Sequence, residues 1–322
     1  MKNIFILIII LAISQTIIAQ DSTDFHISIK DWNLQIVSLD NFYPTYLADP
    51  LGNRTEVNSQ SILYGDIDME DNINEEDGGY KGRLVIFPGT RISLLKFTKK
   101  SNPKIGIEAE VGVTLPIFMR AGNHDVIGVD GIYYFAVSGS PTEWMDLRFS
   151  KHHICTHLGD EYAIGTTSSV VDFDPNIMQL PVRDDFILSA AVRPLYFLKN
   201  PHWDILQVYG EVGYFFPGTD FLGRRQNKPH RNAYMNYQGG IELEYYFRNK
   251  NVGGLYAATN ISAYQLNAFS PNLSINAGYI VPQKRDKRKL RLGVNYYNGR
   301  SLMNQFYNRK EKFIAFSLAL DM

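Results

Sequence analysis

Cysteine, net charge and long apolar runs are the features this chain has least of. Cys155 is the one cysteine among 322 residues, so no intramolecular disulfide can form. The 32 basic residues nearly balance the 33 acidic ones, and a net charge of -1 argues against nucleic acid as a partner. After residue 20, no apolar run reaches the roughly 20 residues that a membrane-spanning helix requires. A disulfide scaffold, a nucleic-acid-binding protein and a helical membrane protein are therefore disfavoured.

The first residues have the pattern of a secretory signal peptide. Lys2 precedes an apolar run from Ile4 to Ile13, and the small residue Ala19 follows. We therefore expect residues 1–20 to be a signal peptide that is removed on export. Residues 21–78 alternate weakly and end in an acidic run, and they predict a periplasmic leader that precedes the main domain. The sequence leaves open whether this leader plugs that domain.

From residue 79 onward, polar and apolar residues alternate in segments of about ten residues separated by turn signals. This pattern is typical of an all-β transmembrane barrel of the outer membrane, and it predicts about 12 antiparallel strands in residues 79–322. The predicted strands are about 79–88, 91–98, 104–115, 127–138, 143–157, 183–197, 203–215, 234–247, 253–265, 272–282, 288–298 and 311–322. In the third of these, Ile105, Ile107 and Val111 are expected to face lipid, whereas Glu108 and Glu110 are expected to face inward.

The predicted connections alternate between short and long along most of the chain. Barrels of the outer membrane have short periplasmic turns and longer external loops, so an even strand number places the N- and C-termini in the periplasm. We expect a monomer in the outer membrane of a Gram-negative bacterium. Its expected partners are outer-membrane lipid, lipopolysaccharide and, during biogenesis, the barrel assembly machinery.

Residues 143–161 contain the densest cluster of reactive side chains. His153 and Cys155 are two residues apart in a predicted strand, so their side chains point to the same, lipid-facing side. Asp184 in the next strand is expected on that side at a similar height. A catalytic interpretation makes Cys155 a nucleophile and His153 its base, with Asp184, Asp160 or Glu161 orienting the imidazole. The alternative is a solvated rim that binds lipopolysaccharide phosphates and bridging cations.

A second interpretation concerns ligand binding at the outer rim. Arg300 follows an Asn-Gly turn pair at a predicted strand end, where its guanidinium group could hold a phosphate or carboxylate through two hydrogen bonds. His157, Asp160 and Glu161 complete the predicted ligand-binding residues. Adjacent strand residues point to opposite faces, so His152 and His153 cannot converge on one ion in a regular strand, and no metal site is predicted. The sequence identifies no cofactor.

Two resemblances bear on function. The segments YPTYLADP (residues 43–50), HHICTHLGDEY (residues 152–162) and YNGRSLMNQFY (residues 297–307) resemble an uncharacterised bacterial family, domain of unknown function 1207. That family implies a bacterial surface protein associated with the membrane and has no assigned activity to carry over. Locally, His153 and Cys155 are similar to the His-x-Ser pair of the outer-membrane phospholipase A and lipid A deacylase barrels. Here Cys stands in place of Ser, and no Asn follows it.

Two functions follow from these observations. One is a non-enzymatic outer-membrane protein whose outer rim binds lipopolysaccharide or a small anionic ligand. The other is a lipid acyl hydrolase with a lipid-facing Cys/His site. We rank binding first, because the enzyme requires an uncommon thiol nucleophile.

Overall fold

A computed structural model describes residues 25–65, 82–122, 124–159, 182–199, 202–218, 234–282 and 289–321. The predicted signal peptide lies outside these residues. The strands are β1 (Phe25–Ile29), β2 (Trp32–Ser38), β3 (Thr55–Gly65), β4 (Gly82–Phe87), β5 (Gly89–Lys99), β6 (Asn102–Thr114), β7 (Ile117–Arg120), β8 (Val126–Thr142), β9 (Met145–Leu158), β10 (Val182–Val192), β11 (Leu206–Pro217), β12 (Tyr234–Tyr246), β13 (Gly254–Tyr264), β14 (Pro271–Ile280), β15 (Lys289–Arg300) and β16 (Lys310–Asp321). Short 3-10 turns occupy Pro194–Leu198, Trp203–Ile205, Lys250–Val252, Gln265–Asn267 and Asn304–Phe306.

The strands form one closed antiparallel barrel. Strands β8 to β16 pair in sequence order, β16 pairs with β3, and β3 pairs with β4. Only Pro88 separates β4 from β5, and only residues 115–116 separate β6 from β7, so each pair is one interrupted strand of the wall. Closure comes from β8, which pairs with β6, β7 and β9. The wall therefore has twelve strands, and the predicted all-β barrel is confirmed.

The strand assignment differs from the prediction at the N-terminal side of the barrel. The predicted strands 79–88 and 91–98 are the two parts of one bent strand, β4 and β5. The twelfth strand is β3, which lies in the segment predicted to precede the barrel and pairs with β16 through Val57 and Leu318. Its outward positions include Thr55, Ser59 and Ser61. Because these side chains are polar, the segment lacks the apolar alternation that marks the other strands.

The wall is polar inside and apolar outside. In β6, Glu108 and Glu110 are 2% and 1% exposed, whereas Ile107, which precedes Glu108 on the opposite face, is 50% exposed. In β16, Phe316 on the outer face is 70% exposed. This polarity is the reverse of a water-soluble sandwich and is that of a transmembrane barrel. Within the described residues, no helix is both long enough and apolar enough to cross a membrane.

The two ends of the barrel differ in their connections. The links at residues 143–144, 193–205 and 247–253 lie at one end, which includes the shortest link and is here called the short-turn end. The links at residues 159–181, 218–233 and 301–309 lie at the other, here the long-loop end. At the short-turn end, β1 and β2 form a hairpin that adds to β5.

Residues 39–54, here the plug segment, connect β2 to β3 through the inside of the barrel. Tyr43 is 0% exposed and Leu47 is 2% exposed. The backbone N–H of Leu47 donates to the Glu242 carboxylate, and Asn276 Nδ2 donates to the Leu47 carbonyl at 3.1 Å. The Tyr46 ring stacks on Tyr209 with ring centroids 3.5 Å apart. The interior toward the short-turn end is therefore filled by the chain itself.

Candidate functional site

A polar cavity of about 160 Å³ lies inside the barrel toward the long-loop end. Residues 49–53 of the plug segment form one side of it. Thr114 of β6, residues of β8 to β15, and residues of the 265–270 and 301–309 connections form the rest. We call this space the luminal cavity. The plug segment separates it from the short-turn end, so it is a pocket within the barrel interior.

Two cations of the cavity wall are already neutralised by neighbouring carboxylates. Arg148 of β9 donates to Glu211 of β11 at 3.1 Å, and Arg183 of β10 lies 3.2 Å from Asp185 on the same strand. These side chains belong to the inward face, where strand alternation places them. The pairing offsets the cost of burying charge and holds each guanidinium group in a fixed orientation.

Arg300, at the end of β15, differs from these two cations. Its backbone N–H donates to Asn272 Oδ1 at 2.7 Å, and its Nη1 donates to the Asn308 carbonyl at 2.6 Å. Among the described residues, no carboxylate forms an ion pair with it, and its buried Nε has no hydrogen-bond partner. Arg300 thus brings an unneutralised positive charge to the luminal cavity.

Several buried polar atoms of the cavity wall have no partner in the described part of the chain. Buried donors and acceptors are almost always satisfied in proteins, by protein atoms, water or a ligand. Their concentration around one cavity therefore marks a place where a polar molecule would complete the hydrogen bonding. The eight atoms are Nε of Arg148, Arg183 and Arg300, Nε2 of Gln238, Oγ1 of Thr114, the Tyr134 hydroxyl, Oδ1 of Asp185 and Oδ1 of Asn53.

A second polar cluster lies on the outer face of the barrel. His153 and Asp184 are register partners in β9 and β10, and His153 Nδ1 is 3.0 Å from Asp184 Oδ1. The Asp184 side chain is 0% exposed and the His153 side chain 17% exposed. Tyr133 of β8 stacks on the His153 ring, and its hydroxyl is 3.2 Å from Cys155 Sγ. We call these four residues the outer cluster.

The predicted catalytic residues are thus brought together in part. His153 and Asp184 form an imidazole–carboxylate pair, and Asp184 was one of the three carboxylates predicted to orient the imidazole. The hydrogen bond that the structure gives to the Cys155 thiol is with Tyr133. In the described segments, no group of three His, Cys, Asp or Glu side chains is arranged to hold a metal ion.

The predicted ligand-binding residues do not form one site. Arg300 lines the luminal cavity. His157 is exposed, at a position of β9 that alternates with the inward residues Ile154 and Thr156. Asp160 and Glu161 lie outside the described residues. The candidate binding site is therefore the luminal cavity with Arg300, and His157 is separate from it.

Sequence reasoning missed most of the cavity wall. Arg183, Asp185 and Gln238 occupy inward positions, and alternation alone was sufficient to place them inside. What the sequence did not provide was which inward residues surround an empty space and which contact the plug segment. Tyr133 was missed because its place beside Cys155 depends on the register between β8 and β9.

Comparison with known proteins gives one family. A family model described as "Protein of unknown function (DUF1207)" matches residues 47–321. The match includes the plug segment from Leu47 onward and every strand of the barrel wall. No curated protein matches the chain.

Solved structures similar to this one are barrels with low sequence identity. The beta domain of the Bordetella autotransporter BrkA has 9% identity and a TM-score of 0.41, covering 83% of this chain and 98% of that one. Pseudomonas aeruginosa OccK10 (OpdN) has 11% identity and a TM-score of 0.31, covering 92% of this chain and 82% of that one. The outer membrane channel DcaP of Acinetobacter baumannii has 9% identity and a TM-score of 0.35, covering 92% and 99%. Likeness at this level transfers no function.

Proposed function

The chain belongs to the family of unknown function DUF1207, and we propose that it is an outer-membrane protein that binds a small anionic ligand in the luminal cavity. In this proposal the short-turn end and both termini face the periplasm, and the long-loop end faces outward. The protein acts as a monomer, is surrounded by outer-membrane lipid and is inserted by the barrel assembly machinery.

The observation that carries this proposal is the state of Arg300. Arg148 and Arg183 are neutralised by Glu211 and Asp185, whereas Arg300 has no carboxylate partner in the described residues and keeps an unpaired, buried Nε. A guanidinium group in this state favours a carboxylate or a phosphate, which supplies both charge and acceptor oxygens. The plug segment supports a binding pocket over an open channel, because it fills the interior below the cavity.

The test compares Arg300→Ala with Arg309→Ala in the full-length protein purified in detergent micelles. Arg309 lies in the connection that follows Arg300, but it is exposed and does not line the cavity. The probes are small carboxylates, sugar acids and inorganic phosphate, with affinity measured by ligand-observed NMR and calorimetry. Loss of a charge-assisted hydrogen bond should weaken binding roughly tenfold or more in Arg300→Ala. Equal affinity in both variants would remove Arg300 from the proposal.

Lipopolysaccharide carries phosphates of the same chemistry and provides a second arm of this experiment. Vesicles that contain lipid A replace the small anions, and Arg300→Ala is compared with His157→Ala. His157 is exposed on the outer side of β9, where a lipid phosphate could approach. If lipid A association depends on His157 and small anions do not bind, the ligand-binding site is the outer rim. The luminal cavity is then not the binding site.

A lipid acyl hydrolase at the outer cluster is the second candidate function. The observation that favours it is the 3.0 Å contact between His153 and Asp184, because a carboxylate that fixes one imidazole nitrogen prepares the other to accept a proton. In the proposed reaction the Cys155 thiol gives its proton to His153, and the sulfur attacks the ester carbonyl of a lipid acyl chain. The alcohol leaves with that proton, and water then releases the fatty acid from the thioester.

The test for the hydrolase measures fatty acid release from phospholipid and lipid A by protein reconstituted into bilayers. Activity should be present in the wild type, absent in Cys155→Ala and His153→Ala, and retained at least in part in Cys155→Ser. An inactive wild-type protein on both substrates would eliminate this candidate while leaving anion binding in the cavity untouched.

A further inference from the structure

We infer that the ligand of the luminal cavity is a single polyhydroxylated carboxylate, the chemical class of the sugar acids. This inference rests on the proposed function, because it assigns the carboxylate to Arg300, and it adds the part of the ligand that Arg300 does not explain. That part is indicated by the other unsatisfied polar atoms of the wall, which include both hydrogen-bond donors and acceptors.

The unsatisfied atoms define what the ligand must offer. Four of them are N–H donors, on Arg148, Arg183, Gln238 and Arg300. The hydroxyls of Thr114 and Tyr134 can donate or accept, and the oxygens of Asp185 and Asn53 can only accept. A ligand that satisfies this set needs more hydrogen-bond acceptors than donors, but it needs at least some donors. Several hydroxyl groups together with one carboxylate provide that combination. An inorganic anion without a proton, such as chloride or sulfate, provides only acceptors.

The paired charges of the wall fit the same class of ligand. Each ion pair, Arg148 with Glu211 and Arg183 with Asp185, presents a donor beside an acceptor in a fixed geometry. A hydroxyl group is also a donor and an acceptor on one atom, so it can bind such a pair without separating it. A ligand with a second full charge would instead have to compete with one partner of the pair.

Size and surroundings fit one small unit inside the cavity. A cavity of about 160 Å³ accommodates on the order of a dozen water-sized atoms. That is the scale of one monosaccharide unit. The rings of Tyr264 and Tyr297 also line the cavity and give the ligand's C–H groups an apolar contact.

The experiment compares three ligands of similar size against the full-length wild-type protein: glucuronate, glucose and cyclohexanecarboxylate. We expect glucuronate to bind at least tenfold more tightly than the other two. If cyclohexanecarboxylate binds as well as glucuronate, the hydroxyl part of this inference is overturned and anion binding at Arg300 stands. If glucose binds as well, the anionic part of the proposed function is overturned. If none binds and other small anions do, sugar acids are excluded; if no anion binds, both proposals fail.

A matched pair of threonine variants locates the hydroxyl contacts. Thr114 and Thr142 both have a buried Oγ1 without a partner, but only Thr114 lines the cavity. Thr114→Val removes a hydroxyl while preserving shape, and it should weaken glucuronate roughly threefold to tenfold with no change for cyclohexanecarboxylate. Thr142→Val should change neither. Gln238→Leu, like Thr114→Val, should weaken the binding of glucuronate and leave that of cyclohexanecarboxylate unchanged. Equal effects on both ligands, or no effect from either cavity variant, would overturn the assignment.

Discussion

The inner and outer faces of β9 carry similar residue types in opposite surroundings. On the inner face, Arg148 is paired with Glu211 inside a polar interior. On the outer face, His153 is paired with Asp184 among side chains that face lipid, including Phe149 and Leu188, which are 54% and 56% exposed. A closed polar interior needs its buried charges to be paired, so the inner pair is expected from the fold alone. The outer pair is not required by the fold, and ionisable groups facing lipid are costly.

This contrast shows how to weigh polar residues in a barrel. Inside, a charged pair is ordinary, and the informative feature is a polar group left without a partner, as around Arg300. Outside, any buried polar pair is informative in itself. The two candidate functions arise from these two rules, and variants on each face can test whether the rules hold.

The largest effect is expected from breaking an inner pair. Glu211→Leu leaves Arg148 buried without a carboxylate and should reduce the free energy of unfolding by about 3–5 kcal/mol. Urea titration of the protein folded in lipid vesicles, followed by tryptophan fluorescence, measures the change. The double variant Arg148→Met, Glu211→Leu should recover most of the loss, because no charge is then left unpaired. A single variant within 1 kcal/mol of wild type would show that the interior is wet enough to solvate Arg148.

An outward charge tests the other side of the comparison. Phe316 lies near the middle of β16 and is among the most exposed apolar side chains. Phe316→Arg should reduce stability in a bilayer by about 2–4 kcal/mol, because the charge faces hydrocarbon. Phe316→Leu is the matched control and should cost much less. If the two variants were equally stable in lipid vesicles, this surface would not face hydrocarbon.

A smaller effect is expected for the outer pair. Asp184→Leu removes the acceptor of the His153 hydrogen bond and should lower stability by about 1–3 kcal/mol. Asp184→Asn keeps an acceptor oxygen in place and should retain most of the stability. Measured in the same urea titration, a stabilising Asp184→Leu would show that the pair is maintained at a cost in stability. That result would favour a functional role for the outer cluster.

The sequence predicted the barrel and the facing of most strands because alternation is a local signal. Glu108, Glu110 and Arg148 lie inside and Ile107, Leu147 and other apolar residues lie outside, as alternation requires. Strand order and period also placed Asp184 on the same face as His153, with Asp160 and Glu161 as the alternative partners of the imidazole. Strand β3 was not recognised because Ser59 and Ser61 on its outer face give no apolar signal.

The plug segment and the cavity could not be predicted in the same way. The position of Leu47 depends on a hydrogen bond to Glu242, which is 195 residues away in the chain. Contacts of that range leave no pattern in a single sequence. The number of inward residues was predictable, but the volume they enclose depends on which of them the plug segment covers. The sequence therefore identified Arg300 as a candidate without showing that it adjoins a cavity.

The smallest effect is expected for Cys155, and it separates structure from chemistry on the outer face. The thiol is partly exposed and its contact is with the Tyr133 hydroxyl, so Cys155→Ala should change stability by no more than about 0.5 kcal/mol. Any acyl hydrolase activity should nevertheless be lost, because the nucleophile is gone. Tyr133→Phe removes the same hydrogen bond and keeps the thiol, so it serves as the control. If Cys155→Ala retained wild-type fatty acid release, the outer pair would have to act without this cysteine, and water activated by His153 would become the nucleophile to test.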